Sequence, residues 1–280
     1  MRRSIRISGA AQRRQSRINL SCNLRLLCRF VLLTLSTGPR SVSFRIARFY
    51  TWLLDLALPR LRRTAKRNLT LAGYPAAGHN RIVNGVFVSI ARLLVSFARF
   101  PRIDASNVAS WIRYEGFENF ETARAAGKGV LFATAHFGNW ELSAFAHALM
   151  TEPLSIVVRP LDNPAINALV EHYRRLSGNR LLEKWDSARN ILRALRTGEA
   201  VGVLVDQNSS LAEGVFVDFF GVPACANAGL AKLAAHSGAA VVPGFAVWSD
   251  AEKKYILRFY PAVEISGDAA ADTQRLQSVL

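Results

Sequence analysis

Residues 129–150, GVLFATAHFGNWELSAFAHALM, set a histidine and a glutamate five residues apart at the join of two different patterns. Gly129 to Ala135 is an apolar run of strand length. Trp140 to Met150 has helical composition, and Gly138 and Asn139 between them are turn and cap residues. On one continuous helix, five steps turn roughly 500°, which would leave His136 and Glu141 about 140° apart. A strand, a tight turn carrying His136 and a helix carrying Glu141 in its first turn would let them meet. A carboxylate beside an imidazole fixes its tautomer and supports its charge, as a general base requires. The stretch therefore predicts a strand–turn–helix unit with His136 and Glu141 as a catalytic pair.

The alternation continues downstream. Leu154–Arg159 reads as a strand, Pro164–Ser177 and Ser187–Gly198 as helices, and Ala200–Asp206 as a buried strand. Asn227–Gly238 reads as a helix closed by glycine, and residues 239–248 and 254–265 as two late, adjacent strands. Such alternation predicts an α/β fold, a mostly parallel layered sheet with flanking helices. Sites in these folds gather at the carboxyl ends of strands. His136 stands at the first of these ends, Arg159 with Asp162 and Asn163 at the second, and Asp206, Gln207 and Asn208 at the third. A base, a carboxylate, an anion-binding arginine and further polar groups suit acyl transfer onto a hydroxyl, with Arg159 holding a substrate phosphate.

The 280 residues carry a formal charge of +16, unevenly placed. Residues 1–67 hold 15 arginines and Lys66 against one acid, Asp55, whereas the remainder holds 20 bases and 19 acids. Within the arm, Val42–Arg63 is greasy except for a stripe of Arg45, Arg48, Asp55 and Arg62. That pattern predicts a helix lying in a membrane surface, its basic side chains on anionic lipids; a buried helix with an exposed basic edge is the alternative. Neither apolar stretch of the arm reaches the roughly 20 uncharged residues of a simple span. Arg29 breaks the only candidate core of a signal peptide. No nucleic-acid-binding motif accompanies the charge. Cys22, Cys28 and Cys225 form no CxxC pair and predict neither a disulfide framework nor a zinc site. His147, His172 and His236 fall in helical stretches and read as structural, and His79 as a solvated turn residue. Residues 1–113 thus form a basic, membrane-associating helical extension, and 114–280 an α/β core.

The blocks AHFGNWE, VVRPLDNP, GVLVDQN, GVFVDFFGVPA and GLAKLAAHSGAAVVPGF occur in this order. Together they closely resemble the lysophospholipid acyltransferase superfamily and, within it, the lipid A biosynthesis lauroyl/myristoyl acyltransferases, over about Leu26 to Val263. The resemblance implies an enzyme on the cytoplasmic face of the bacterial inner membrane, peripheral or single-pass. Such an enzyme moves a fatty acyl chain from acyl carrier protein, or coenzyme A, to a glycolipid. It implies no metal and no cofactor beyond that acyl donor. His136 matches the family's base and Glu141 its carboxylate partner; Gly138, Asn139 and Trp140 fill the motif's turn. Arg159 matches the phosphate-holding arginine, Asp206 and Gln207 the polar strand end, and Phe219, Phe220, Gly221 and Pro223 the block lining the acceptor pocket. Family members continue past the point corresponding to Leu280 into a short helix and a tail rich in tryptophan and arginine, so the core is expected to lack that tail. Other acceptors (a phosphatidylinositol mannoside, a glycerolipid, an ornithine lipid) and a catalytically inactive membrane-surface binding protein stay open.

Overall fold

The computed structural model describes residues 24–183 and 187–280. The start of the basic arm, Cys22 included, lies outside the described residues. Helices over residues 24–36 (α1), Arg40–Ala57 (α2), Pro59–Leu71 (α3) and Ala76–Ala98 (α4) come first. Then follow β1 (Ile112–Glu115), α5 (Glu118–Ala125), β2 (Val130–Thr134), α6 (Trp140–Met150), β3 (Ser155–Val158), α7 (Pro164–Arg175), β4 (Arg180–Glu183), α8 (Ser187–Arg196) and β5 (Ala200–Leu204). The chain finishes with β6 (Gly214–Phe219), β7 (Val222–Asn227), α9 (Gly229–Ser237), β8 (Ala240–Ser249), β9 (Lys254–Phe259) and α10 (Ala269–Ser278).

Seven strands form one sheet in the order β1-β9-β8-β2-β5-β3-β4, and β6 and β7 form a separate hairpin. β8, β2, β5, β3 and β4 run parallel, while β9 is antiparallel to β8 and carries β1 parallel to itself. The α/β architecture and the adjacency of the two late strands are as expected. Four strands were not legible beforehand: β6 and β7 of the hairpin, and β1 (IRYE) and β4 (RLLE) of the sheet. β1 and β4 are the edge strands of the sheet and carry charges in place of an apolar run. The central strands alternate: Val130 and Phe132 face one apolar cluster with α4, α5 and α6, whereas Leu131 and Ala133 face a second with α8, α9 and α10.

The expected single helix over 42–63 is two. Pro59 lacks an N–H and disfavours helical geometry in the residue before it, and Leu58 leaves the helix at φ −125°, ψ 63°. Arg62 bridges the break, pairing with Asp55 at 2.6 Å and donating to Asn84 on α4 at 2.8 Å. The expected boundary at 113/114 falls inside β1. Packing is continuous across it, because Ala91, Val95, Phe97 and Ala98 of α4 share one cluster with Ile112, Phe132 and Leu142. By length and composition α4 could cross a membrane, but those same residues bury its second half in the core.

Arg99, just past α4, fixes the first helices to this core. It is buried, and its guanidinium donates to the carbonyls of Leu35, Thr37 and Gly38 and to the hydroxyl of Ser43, at 3.1, 3.3, 2.7 and 2.7 Å. The fork thus satisfies the turn between α1 and α2. Arg99→Ala should lower stability by about 2–4 kcal/mol, because the buried Leu35 carbonyl and Ser43 hydroxyl and the partly buried carbonyls of Thr37 and Gly38 lose a charged donor. Arg99→Lys should recover only part, since a point charge cannot span the fork. Chemical denaturation of the three proteins reads this out, and a Lys variant as stable as the native protein would show that the fork is not needed.

Candidate active site

β2 and β5 are paired in parallel with Thr134 opposite Leu204. Carrying that register two residues further places His136 beside Asp206. The Val205 N–H donates to the Thr134 carbonyl at 2.9 Å, so the ladder holds to the point of the site. One carboxylate then grips His136 twice: its backbone N–H donates to Oδ2 and its Nδ1 to Oδ1, both at 2.9 Å. Burial pushes the Asp206 carboxyl up, but the bonds from the His136 ring and N–H outweigh it and hold the group below its ordinary value. A carboxylate on Nδ1 fixes the tautomer that leaves the Nε2 lone pair free. The Trp140 ring stands edge-on to the imidazole, centroids 5.2 Å apart.

The carboxylate on His136 is therefore Asp206 and not Glu141, which corrects the expected pairing. Glu141 does lie in the first turn of α6, but it forms a bidentate pair with Arg174 of α7, at 2.5 and 3.0 Å. Arg174 is held above its ordinary value: burial lowers it, but the bonds and charge of Glu141 and the charge of Glu171 more than offset this. A carboxylate tied to a guanidinium by two short bonds is not available to an imidazole.

The turn residues shape the site from behind. Gly138 has φ +64°, and a Cβ there would collide with the Ala246 carbonyl of β8. That carbonyl accepts the Asn139 N–H at 3.0 Å. Asn139 is fully buried; its side chain caps α6 at Leu142 N, 3.1 Å, and donates to Ser96 of α4 at 2.8 Å. Both residues thus set the turn rather than face the cleft, and Asn139 ties it to the N-terminal helices.

A cleft of about 440 Å³ opens at the ends of β2, β3 and β5. His136, Trp140, Arg159, Gln207, Asn208 and Arg174 line it, with Ser209 and Asn227 from the foot of the β6–β7 hairpin. Arg159 is exposed there and, among the described residues, pairs with Asp162 at 3.2 Å. A second, apolar cavity of about 80 Å³ lies behind α6, against Phe132, Phe145, Leu257 and Phe259. It shares Trp140, Arg174, Val158 and Leu204 with the cleft, so the two spaces adjoin. Among the described residues no group of three histidine, cysteine or carboxylate side chains converges as a metal-ligand set.

Phe219, Phe220, Gly221 and Pro223, expected in the acceptor pocket, do not line the cleft. They sit at the tip of the β6–β7 hairpin, where Phe220 and Gly221 form a two-residue turn with φ 55° and 75°. The Phe220 ring lies 6.5 Å from Tyr74 in the α3–α4 connection. Residues missed in sequence are Arg174, Ser209 and Asn227; no spacing links them to His136, and only the fold converges them. His79 is buried rather than solvated, its Nε2 2.8 Å from the Tyr74 carbonyl. His172 and His236 are exposed.

The comparisons with known proteins fit this geometry. Residues 11–280 match the family described as bacterial lipid A biosynthesis acyltransferase. The chain is 26% identical over 190 residues to a lipid A biosynthesis acyltransferase of Haemophilus influenzae, covering 67% of this chain and 59% of that protein. It is 29% identical over 191 residues to the lipid A biosynthesis lauroyltransferase of Escherichia coli K12, covering 68% and 58%. A phosphatidylinositol mannoside acyltransferase of Mycolicibacterium smegmatis is 28% identical over 217 residues, covering 75% and 71%. The chain thus spans under two thirds of the length of the first two relatives.

His147 of α6 lines the second cavity, and burial, with repulsion from Arg124, pushes its imidazolium down to about 4. The unfolded chain takes up this proton at about 6.5, so protonation favours unfolding. Stability should fall as pH drops from about 6.5 to about 4 and this contribution should level off below. Denaturation midpoints across that window should show a smaller slope for His147→Leu than for the native protein. Equal slopes would mean that the folded ring takes up its proton as readily as an exposed one.

Proposed function

The chain belongs to the bacterial lipid A biosynthesis acyltransferase family, and we propose from that premise that it transfers a fatty acyl chain from a thioester of acyl carrier protein or coenzyme A to a glycolipid hydroxyl. The observation carrying this reading is the Asp206 carboxylate 2.9 Å from His136 Nδ1, which frees Nε2 as a base beside a cleft that adjoins an apolar cavity.

In this mechanism Nε2 takes the proton of the acceptor hydroxyl as its oxygen attacks the thioester carbonyl. Asp206 stabilises the imidazolium, amides of the first turn of α6 stabilise the oxyanion, and the C–S bond breaks with return of the proton to the leaving thiolate. The acyl chain occupies the cavity behind α6. Glu141 aims Arg174 at the neck between the two spaces, and Arg159 holds a phosphate at the rim. A lipid A precursor is the acceptor supported by the family and by two of the relatives. A phosphatidylinositol mannoside is the second reading, supported by the mycobacterial relative that matches over more of its own length.

The setting proposed is the cytoplasmic face of the bacterial inner membrane. α2 supports it, because its amphipathicity is inverted: small Ser43, Ala47 and Thr51 are buried toward the fold, while Phe49, Trp52, Leu53 and Leu56 point outward with Arg45 and Arg48. Leu26, Leu27, Phe30 and Leu33 of α1 are exposed as well. Large apolar groups among arginines match an anionic bilayer surface.

His136→Ala should lower turnover by about 10²- to 10⁴-fold. Asp206→Asn should also cost turnover heavily, and the double variant should be little slower than His136→Ala, because residues acting as a unit are not additive. The same cycle should couple Glu141 to Arg174 instead of to His136. Mass spectrometry of lipid products with acyl-thioester donors reads this out; normal turnover in His136→Ala would sink the mechanism. Replacing both Phe49 and Trp52 with Glu should release the protein from vesicles containing anionic lipid. Native binding should weaken with salt, the Debye length being about 8–10 Å. Unchanged flotation of the double variant would remove α2 from the membrane surface.

A further inference from the structure

The cavity behind α6 follows one face of that helix from Glu141 past Ala144 and Phe145 to His147. The helical rise between its ends is about 9 Å. At the Glu141 end it meets the cleft of His136. Toward the other end the His147 ring lines it together with Leu154 and Asn179, edge-on to Phe120 and Phe132 with centroids 5.0 and 5.3 Å away. Nδ1 of His147 is 3.2 Å from the Tyr114 hydroxyl, which lies outside the cavity wall and reaches Thr151 at 3.0 Å. Nε2 is buried and has no hydrogen-bond partner among the described residues. An apolar cavity adjoining the cleft of His136 is thus lined, toward its far end, by a side chain with an unsatisfied polar atom.

We propose that His147 is the specificity-determining residue that ends the acyl chain, an inference resting on the acyl-transfer reading above. A chain that stops short of the ring gains the apolar contacts of the walls. One methylene longer, it must displace a ring wedged among aromatic groups and cover Nε2 with hydrocarbon, which leaves a buried polar atom permanently unpaired. Volume and polarity both act at one position. An apolar residue of similar size there would remove the polarity penalty and, being flexible, part of the steric one.

The test uses the full chain and a panel of saturated acyl-coenzyme A and acyl carrier protein thioesters from eight to eighteen carbons, with products weighed by mass spectrometry. His147→Leu should move the optimum to longer chains. The kcat/KM ratio of the next longer chain to the native optimum should rise by about tenfold or more, the usual worth of a methylene in an apolar pocket. His147→Gln, which keeps a polar group, should retain the native optimum. A folded, active Leu variant with the native profile overturns the proposal, and so does a Gln variant that shifts as Leu does. Should Leu prevent folding, His147→Met carries the same expectation. Binding of free fatty acids of the same lengths, followed calorimetrically, needs no turnover and separates the two readings. A length preference that Leu shifts supports His147 even if no product forms, in which case the acyl-transfer reading alone fails. Length-independent binding overturns the role of His147.

Discussion

The pairing of β2 with β5 is the constraint on which the site depends. Two parallel strands in one register bring His136 and Asp206, 70 residues apart in sequence, to the same level of the sheet. A slip of one residue would turn every side chain of a strand to the opposite face. Leu131 and Ala133 would then exchange clusters with Val130 and Phe132, so burial of both faces locks the register. The locked register in turn places one carboxylate to bind both a backbone N–H and the ring of the same histidine. The imidazole is thereby held in one orientation, and preorganisation of this kind is what the general-base role proposed for it would need.

Behind that pair the structure is held by a chain of buried polar contacts. Asn139 caps α6, takes its turn from the Ala246 carbonyl of β8 and reaches Ser96 of α4. Three residues past Ser96, Arg99 gathers the carbonyls between α1 and α2. The turn carrying His136 and the outward-facing helices are therefore connected through α4. In the membrane setting proposed, that connection would fix the height of His136 above the lipid surface, and the N-terminal helices would be part of the enzyme's frame as well as its anchor.

The two spaces around His136 divide by polarity. The cleft mixes arginine, amide and hydroxyl groups with aliphatic side chains such as Leu161, Ile191 and Leu230, whereas the cavity behind α6 is mostly aromatic and aliphatic. Trp140 and Arg174 stand where they meet. The acyl transfer proposed, which joins a polar acceptor to a long alkyl chain, would place the reacting atoms at the boundary of the two spaces. The Glu141–Arg174 pair is well suited to that boundary because each ion satisfies the other, so neither charge is left unpaired beside hydrocarbon.

The sequence by itself determined the strand–turn–helix unit at 129–150, the alternation that makes an α/β sheet, the histidine at its centre and the basic, apolar character of the first helices. These are local properties, carried by periodicity, turn chemistry and composition within a few residues. It also placed Arg159, Asp206 and Gln207 at strand ends, because strand ends are visible as the close of an apolar run. Which carboxylate serves His136 was not local. Five residues of spacing favoured Glu141, but the direction of α6 sends that side chain to Arg174, and the β2–β5 register brings Asp206 instead. The tip of the β6–β7 hairpin likewise left the site once its two-residue turn aimed Phe219 and Phe220 away from the cleft. Tertiary structure decided these points because pair contacts depend on strand order and helix direction, and a single sequence carries no period that reports on either.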